Sequence, residues 1–235
     1  VVLVSSFNLL RDIIKPYSEW RVANIANRGP GMADHFIRKL GLDFTRVVRR
    51  GPKVILQLMP FEAFDAGRLE HGERGLNTLD KSQLRPFSLH YGAFPYKTIY
   101  GLVNAVENAY LVVSNGGVIE SVETAGSGSF IDYIGGRGGQ PDGFFLYCQN
   151  FKREYFEALK RYTSILQTLD VKSPVYLSLT LTDVKNVKLA RETITYCIKN
   201  RDCWPEGVVV SDFSNYESEA AKLITGMGLC WKPII

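Results

Sequence analysis

The chain has 235 residues, 46% of them hydrophobic and 22% charged, with a formal net charge of +4. This is the composition of an ordinary globular protein, long enough to bury a core without metal or disulfide staples. It excludes a disordered or strongly polybasic chain, and so mild a charge gives no argument of its own for a nucleic-acid partner.

The first predicted element covers residues 5–28. Ser6 is a candidate N-cap, and Leu9, Leu10, Ile13 and Ile14 form an apolar stripe. Pro16 should kink or split this helix, and Gly29, Pro30 and Gly31 should stop it. A short helix is expected at 32–42, capped by Asp34 and ended by Gly41. Residues 53–59 read as a strand, with Val54, Leu56 and Leu58 alternating with Lys53, Ile55 and Gln57 between Pro52 and Pro60. The polar stretch 65–86 reads as a surface loop with one helical turn, and a loop of that length is functional or mobile.

Three strands follow between 96 and 124, forming an antiparallel meander. Asn108 marks one turn, and Asn115-Gly116 offers the positive φ values that a tight hairpin needs. Ile119 and Val122 are three residues apart, which predicts a bulged or frayed end to the third strand. The segment 126–143 holds a cluster of glycines and reads as a mobile connection. A helix from about Phe151 to Leu169 has apolar residues at three- and four-residue steps. A strand comes next, with Val175, Leu177, Leu179 and Leu181 on one side and Tyr176, Ser178, Thr180 and Thr182 on the other. Residues 187–199 are ambiguous. A last strand at 208–213 precedes a short helix beginning near Asn215. Hairpins mixed with helical crossovers predict an α+β fold, a mostly antiparallel sheet with helices packed on one face. The organisation expected is an N-terminal helical segment, 1–50, and an α+β domain, 51–235.

Chemistry is sparse. Cys148, Cys197, Cys203 and Cys230 form no Cys-x-x-Cys pair, and His35, His71 and His90 lie far from them, so metal spacing is absent. The thiols read as reduced and the chain as cytoplasmic. No apolar run approaches the roughly 18 residues of a membrane span, so no membrane partner is expected. Gly135, Gly136, Gly138 and Gly139 lack the Lys-Ser/Thr that would complete a phosphate loop, and they miss the dinucleotide pattern. No cofactor is expected. Arg137 is a candidate anion contact. Arg46, Arg49, Arg50 and Lys53 form a basic cluster at 46–53 that would touch phosphates if its members faced one way. Asp183, Asp212, Glu120 and Glu123, on or beside strands, are the carboxylates available for acid–base work.

Several segments together resemble the C-terminal region of bacterial proteins with an N-terminal Schlafen-type AlbA-like domain. These are "LLRDIIKPYSEWRVANIANR", "GPKVILQLMPFEAF", "AYLVVSNGGVIESVET", "YFEALKRYTSILQTLDVKSPVYLSLTLTDVKNVKL" and the final "VVVSDF". Proteins of this kind are described as ATP-binding or helix-turn-helix regulators. The chain departs from them in the glycine-rich insert and in the loop at 66–95, and the AlbA-like domain is absent. The resemblance implies a C-terminal piece of a larger protein, in keeping with a first residue that is Val1 rather than Met. The leading expectation is a non-enzymatic module that binds a ligand or protein partner, or self-associates, in a regulatory or defence protein. The alternatives are an enzyme with a site built from loops 65–95 and 126–143, and a nucleic-acid-binding module using the cluster at 46–53.

Overall fold

The computed structural model describes residues 8–26, 51–64, 75–87, 95–98, 101–106, 108–124, 131–134, 143–190, 195–197 and 203–227. The short helix expected at 32–42 and the glycines at 135–139 lie outside them.

The fold is α+β. Its strands in chain order are β1 (Lys53–Pro60), β2 (Tyr96–Thr98), β3 (Gly101–Val106), β4 (Ala109–Ser114), β5 (Ile119–Thr124), β6 (Ile131–Ile134), β7 (Gly143–Tyr147), β8 (Val175–Thr182), β9 (Lys188–Ala190), β10 (Thr195–Cys197) and β11 (Cys203–Val210). The helices are α1 (Lys15–Ala26), α2 (Cys148–Thr168) and α3 (Tyr216–Gly226). Seven strands form one antiparallel sheet in the order β11-β8-β1-β5-β4-β3-β2. Four short strands form a second, β10-β9-β7-β6, in which β7 and β9 pair in parallel. The ambiguous stretch after residue 187 thus supplies two of these short strands.

The central strand β1 explains the architecture. All eight of its residues are buried. Val54, Leu56 and Leu58 join the main core with α2, whereas Ile55 packs with Val22 and Ile25 of α1 on the opposite face. A strand covered on both faces need not alternate apolar with polar. The same reasoning corrects the expectation of a bulge in β5. Ile119 belongs to the α2 side and Val122 to the α1 side, and β5 pairs without a break against both β1 and β4. The strands β5 and β8 are both antiparallel to β1 and so run parallel to each other. The chain between them, β6, β7 and α2, is the crossover.

Helices α2 and α3 pack on one face. Phe151, Tyr155, Ala158, Leu159, Tyr162, Ile165 and Leu166 of α2 fall at helical spacing and meet Leu177, Leu179 and Leu181 of β8, with Leu223 and Ile224 of α3 in the same core. The second sheet adds Ile131, Leu146 and Leu189 to it. The N-terminal helical segment covers the other face. A π-helical turn at Leu10–Ile14 leads into α1, with the Lys15 N–H donating to the Leu10 carbonyl. Pro16 has no N–H for the usual bond to the carbonyl of Asp12, and the widened turn makes room for its ring. The helix is therefore neither split nor ended there. Ile14 is fully buried and Ile13, expected on the same stripe, is 46% exposed.

Two further expectations change. The polar stretch before Phe87 is not a surface loop where it is described. Leu76, Leu79, Leu84 and Phe87 are buried in the main core, and Phe87 stacks on Phe151 with ring centroids 5.7 Å apart. The backbone there is held from outside: Tyr162 donates to the Arg85 carbonyl at 2.9 Å, Arg161 to the Phe87 carbonyl at 2.8 Å, and the Phe87 N–H to Ser121 Oγ at 2.9 Å. In the β4–β5 hairpin the positive φ belongs to Gly117 (+81°), not to Asn115-Gly116, while Asn108 (+69°) does mark the preceding turn.

Candidate functional site: a cleft between helix α1 and the β8–β11 edge

Alternation on β8 decides what lies beneath α1. Val175, Leu177, Leu179 and Leu181 go to the main core. The intervening Tyr176, Ser178, Thr180 and Thr182 share the opposite face, at or below 8% exposure. Register places Ser178 beside Gln57 of β1 and Gly207 of β11, and Thr180 beside Ile55 and Pro205. This face of the sheet is thus polar along β8, and beside Ser178 and Thr180 the edge strand β11 offers only Gly207 and Pro205.

Over it runs α1. Val22 and Ile25 pack on Ile55, Val103, Tyr110 and Val122, which pulls the helix toward β1, β4 and β3. Lys15, Glu19, Ala23 and Ala26, at steps of three and four, turn toward β8 and β11 instead. Between this stripe and the strands lies a cleft of about 590 Å³, completed by Ser18, Val22, Tyr176, Ser178, Thr180, Pro205, Glu206 and Gly207. The space exists because small residues face each other: Ala23 and Ala26 above, Ser178, Thr180 and Gly207 below. Gly207 has a second role. A Cβ there would sit 2.0 Å from Tyr176 Oη and 2.5 Å from its Cζ. Only glycine lets the phenol lie across the edge strand. Burial pushes the Tyr176 hydroxyl above its ordinary pKa, and the carboxylates of Glu19 and Glu206 push the same way, so it stays a neutral donor.

One hydroxyl of the floor is unusual. Thr180 is 1% exposed, lines the cleft, and its Oγ1 has no hydrogen-bond partner among the described residues. A buried hydroxyl left unmatched costs roughly 1–3 kcal/mol. Thr182 Oγ1, on the same face, is also unmatched.

Behind the helix the polar groups are saturated. Ser18 Oγ donates to Gln57 Oε1 at 2.6 Å, and Gln57 Nε2 donates to Glu120 Oε2 at 3.0 Å. Glu120 also accepts from Arg21 Nε at 2.9 Å, from Arg21 Nη2, and from Tyr110 Oη at 2.8 Å. Burial alone would push the Glu120 carboxyl up. The Arg21 charge and the bonds from Arg21, Gln57 and Tyr110 outweigh it and hold the group below its usual 4.5. The network anchors α1, and with it one wall of the cleft.

The residues singled out in the sequence fall elsewhere. Lys53 is 2% exposed, and its ammonium donates to Asp183 Oδ2 at 2.6 Å and to the Gly51 carbonyl at 3.0 Å. It is a buried, paired cation at the end of β1, turned away from solvent. Arg46, Arg49, Arg50 and Arg137 lie outside the described residues, as do His35, His71, His90 and Cys230. Asp183, at φ +55°, is the partner of Lys53. Asp212 caps a short 3₁₀ turn by accepting from the Ser214 N–H at 2.8 Å. Glu123 is buried, on the α2 side of β5. Cys148 is buried at the start of α2. Among the described residues no group of three or more His, Cys, Asp or Glu could hold a metal ion, and no helix is long and apolar enough to cross a membrane.

Sequence reading found the polar side of β8 but assigned it no role. The usable signal was the pairing of four consecutive alternate polar residues with "PEG" (205–207), a proline and a glycine where a sheet face would ordinarily carry side chains. No family model matches the chain, and no curated protein or solved structure matches it.

Proposed function

We propose that the chain is a ligand-binding module without turnover of its own, and that its site is the cleft between α1 and the β8–β11 edge. The likeness of five segments to the C-terminal region of bacterial Schlafen-type proteins supports placing this module in a regulatory or defence protein, where ligand capture would report to an attached domain.

The observation that carries the reading is the buried, unmatched hydroxyl of Thr180 on the floor of a 590 Å³ cleft. Clefts of about 300–1,000 Å³ with a mostly apolar lining and a few convergent polar groups are the usual form of small-molecule sites. Here Val22, Ala23, Ala26 and Pro205 supply apolar surface, and Ser178, Thr180 and Tyr176 supply the polar groups. The wall that would move on binding is α1, a single helix clamped to the sheet by Ser18 and Arg21.

A screen of a few hundred small polar fragments against the ¹⁵N-labelled chain tests this. Hits should perturb the amides of 176–180, 206 and 207 together with those of 18–26. Hits scattered over the surface, or confined to another region, would overturn the assignment. Ala23→Trp, which fills the space from the helix side, should abolish the response in the cleft.

A further inference from the structure

The lining also selects among ligands. We infer that the cleft takes an uncharged, hydroxyl-rich small molecule, of the chemical class of a simple sugar or polyol, held at its deep end by Thr180 Oγ1. This rests on the reading of the cleft as a ligand site and adds the class of ligand to it.

The argument starts from the floor. Ser178 and Thr180 are the hydroxyl-bearing β8 residues of the lining, both buried, and each hydroxyl can both donate and accept. That is the pattern a ligand hydroxyl complements, whichever way its proton points. The lining holds no cation at its floor, since Lys15 is an exposed residue of the helix. Nor is there a carboxylate at that depth. Glu19 is exposed beside Lys15's turn, and the Glu206 carboxylate lies 3.6 Å from the position a Cβ would take on Gly226 of α3, behind the edge strand. The rim therefore carries one ammonium and one carboxylate a helical turn apart, and neither is ion-paired among the described residues. A net ionic ligand would lose hydration at the floor and find no countercharge there. A neutral polyhydroxylated one exchanges water for hydroxyls and can still reach both rim charges.

Thr180→Val is the decisive variant, because the two side chains are nearly the same shape. If the hydroxyl serves a ligand, removing it leaves the free protein as stable as before or more stable, since an unmatched buried donor is lost. Binding should suffer instead. Glucose, glucosamine and gluconate share a hydroxyl frame and differ in charge, and each is titrated into the labelled full chain. Glucose should give saturable shifts at residues 176–180, 206 and 207, weakened about tenfold in Thr180→Val. Neither charged analogue should bind more tightly than glucose. Tenfold tighter binding of glucosamine or gluconate would overturn the uncharged class and leave the cleft reading standing. Fragment hits in the cleft without any response to glucose would do the same. No response to either fragments or sugars would end both. A marked fall in the melting temperature of Thr180→Val would show the hydroxyl to be structural and would overturn the inference by itself.

Discussion

Glu120 shows how much one side chain can hold. It is 5% exposed and accepts from Arg21, Gln57 and Tyr110 at once. Glu120→Ala would strand the Arg21 guanidinium in a mostly buried place and leave two further donors unmatched. Breaking a buried pair from one side costs about 3–5 kcal/mol, and urea denaturation should show a loss of that order. The pH dependence follows from the depressed carboxyl. A group whose folded pKa lies below its unfolded value stabilises the fold above the unfolded value, and that contribution disappears as pH falls through the folded one. Stability should therefore decline as the pH drops below about 4.5, the ordinary value for this group. Glu120→Gln should show a shallower decline over the same window, measured by denaturant midpoints from pH 6 to pH 3. None of this was legible from residue types. Glu120 sits in a run, "GVIESVET", that reads as a strand with ordinary carboxylates, and only the arrival of α1 from about a hundred residues earlier gives it a countercharge.

At the level of elements, the stretch 75–87 teaches most. Its charges and turn residues give it the texture of a surface loop. Yet Leu76, Leu79, Leu84 and Phe87 are spaced unevenly across it, and each finds the core. Periodicity reports regular elements, and an irregular segment can bury apolar groups without any period. Phe87→Ala should accordingly cost about 3–5 kcal/mol, the range for emptying a large aromatic from a core. A variant with near wild-type stability in thermal or urea unfolding would mean the segment is only lightly attached. The elements with strong periodicity behaved differently. The stripe of α2 and the alternation of β8 were both readable, because each faces one apolar neighbour along its whole length. For α1 the apolar and polar residues mix around the helix, since it meets a hydrophobic patch on one side, an ion-pair network beneath and the cleft on the other.

For the molecule as a whole, β1 is the organising member. It is hydrogen-bonded to β5 on one side and β8 on the other, and both of its faces are covered. Local opening cannot free its amides without separating the sheet, so they should exchange only through global unfolding. Native-state hydrogen exchange should show β1 and the middle of β8 as the slowest amides, with β2 and the short strands β9 and β10 exchanging faster. Comparable rates across all strands would contradict this layout. The sequence determined that the chain folds as α+β, where most of its long elements lie, and which side of β8 is apolar, because these follow from short-range spacing. Only the tertiary structure decided that both faces of the large sheet are covered, that Lys53 and Glu120 are buried partners of distant residues, and that a cleft opens over Thr180. Those outcomes depend on which elements meet, and such meetings involve residues far apart in the chain whose pairing no local pattern encodes.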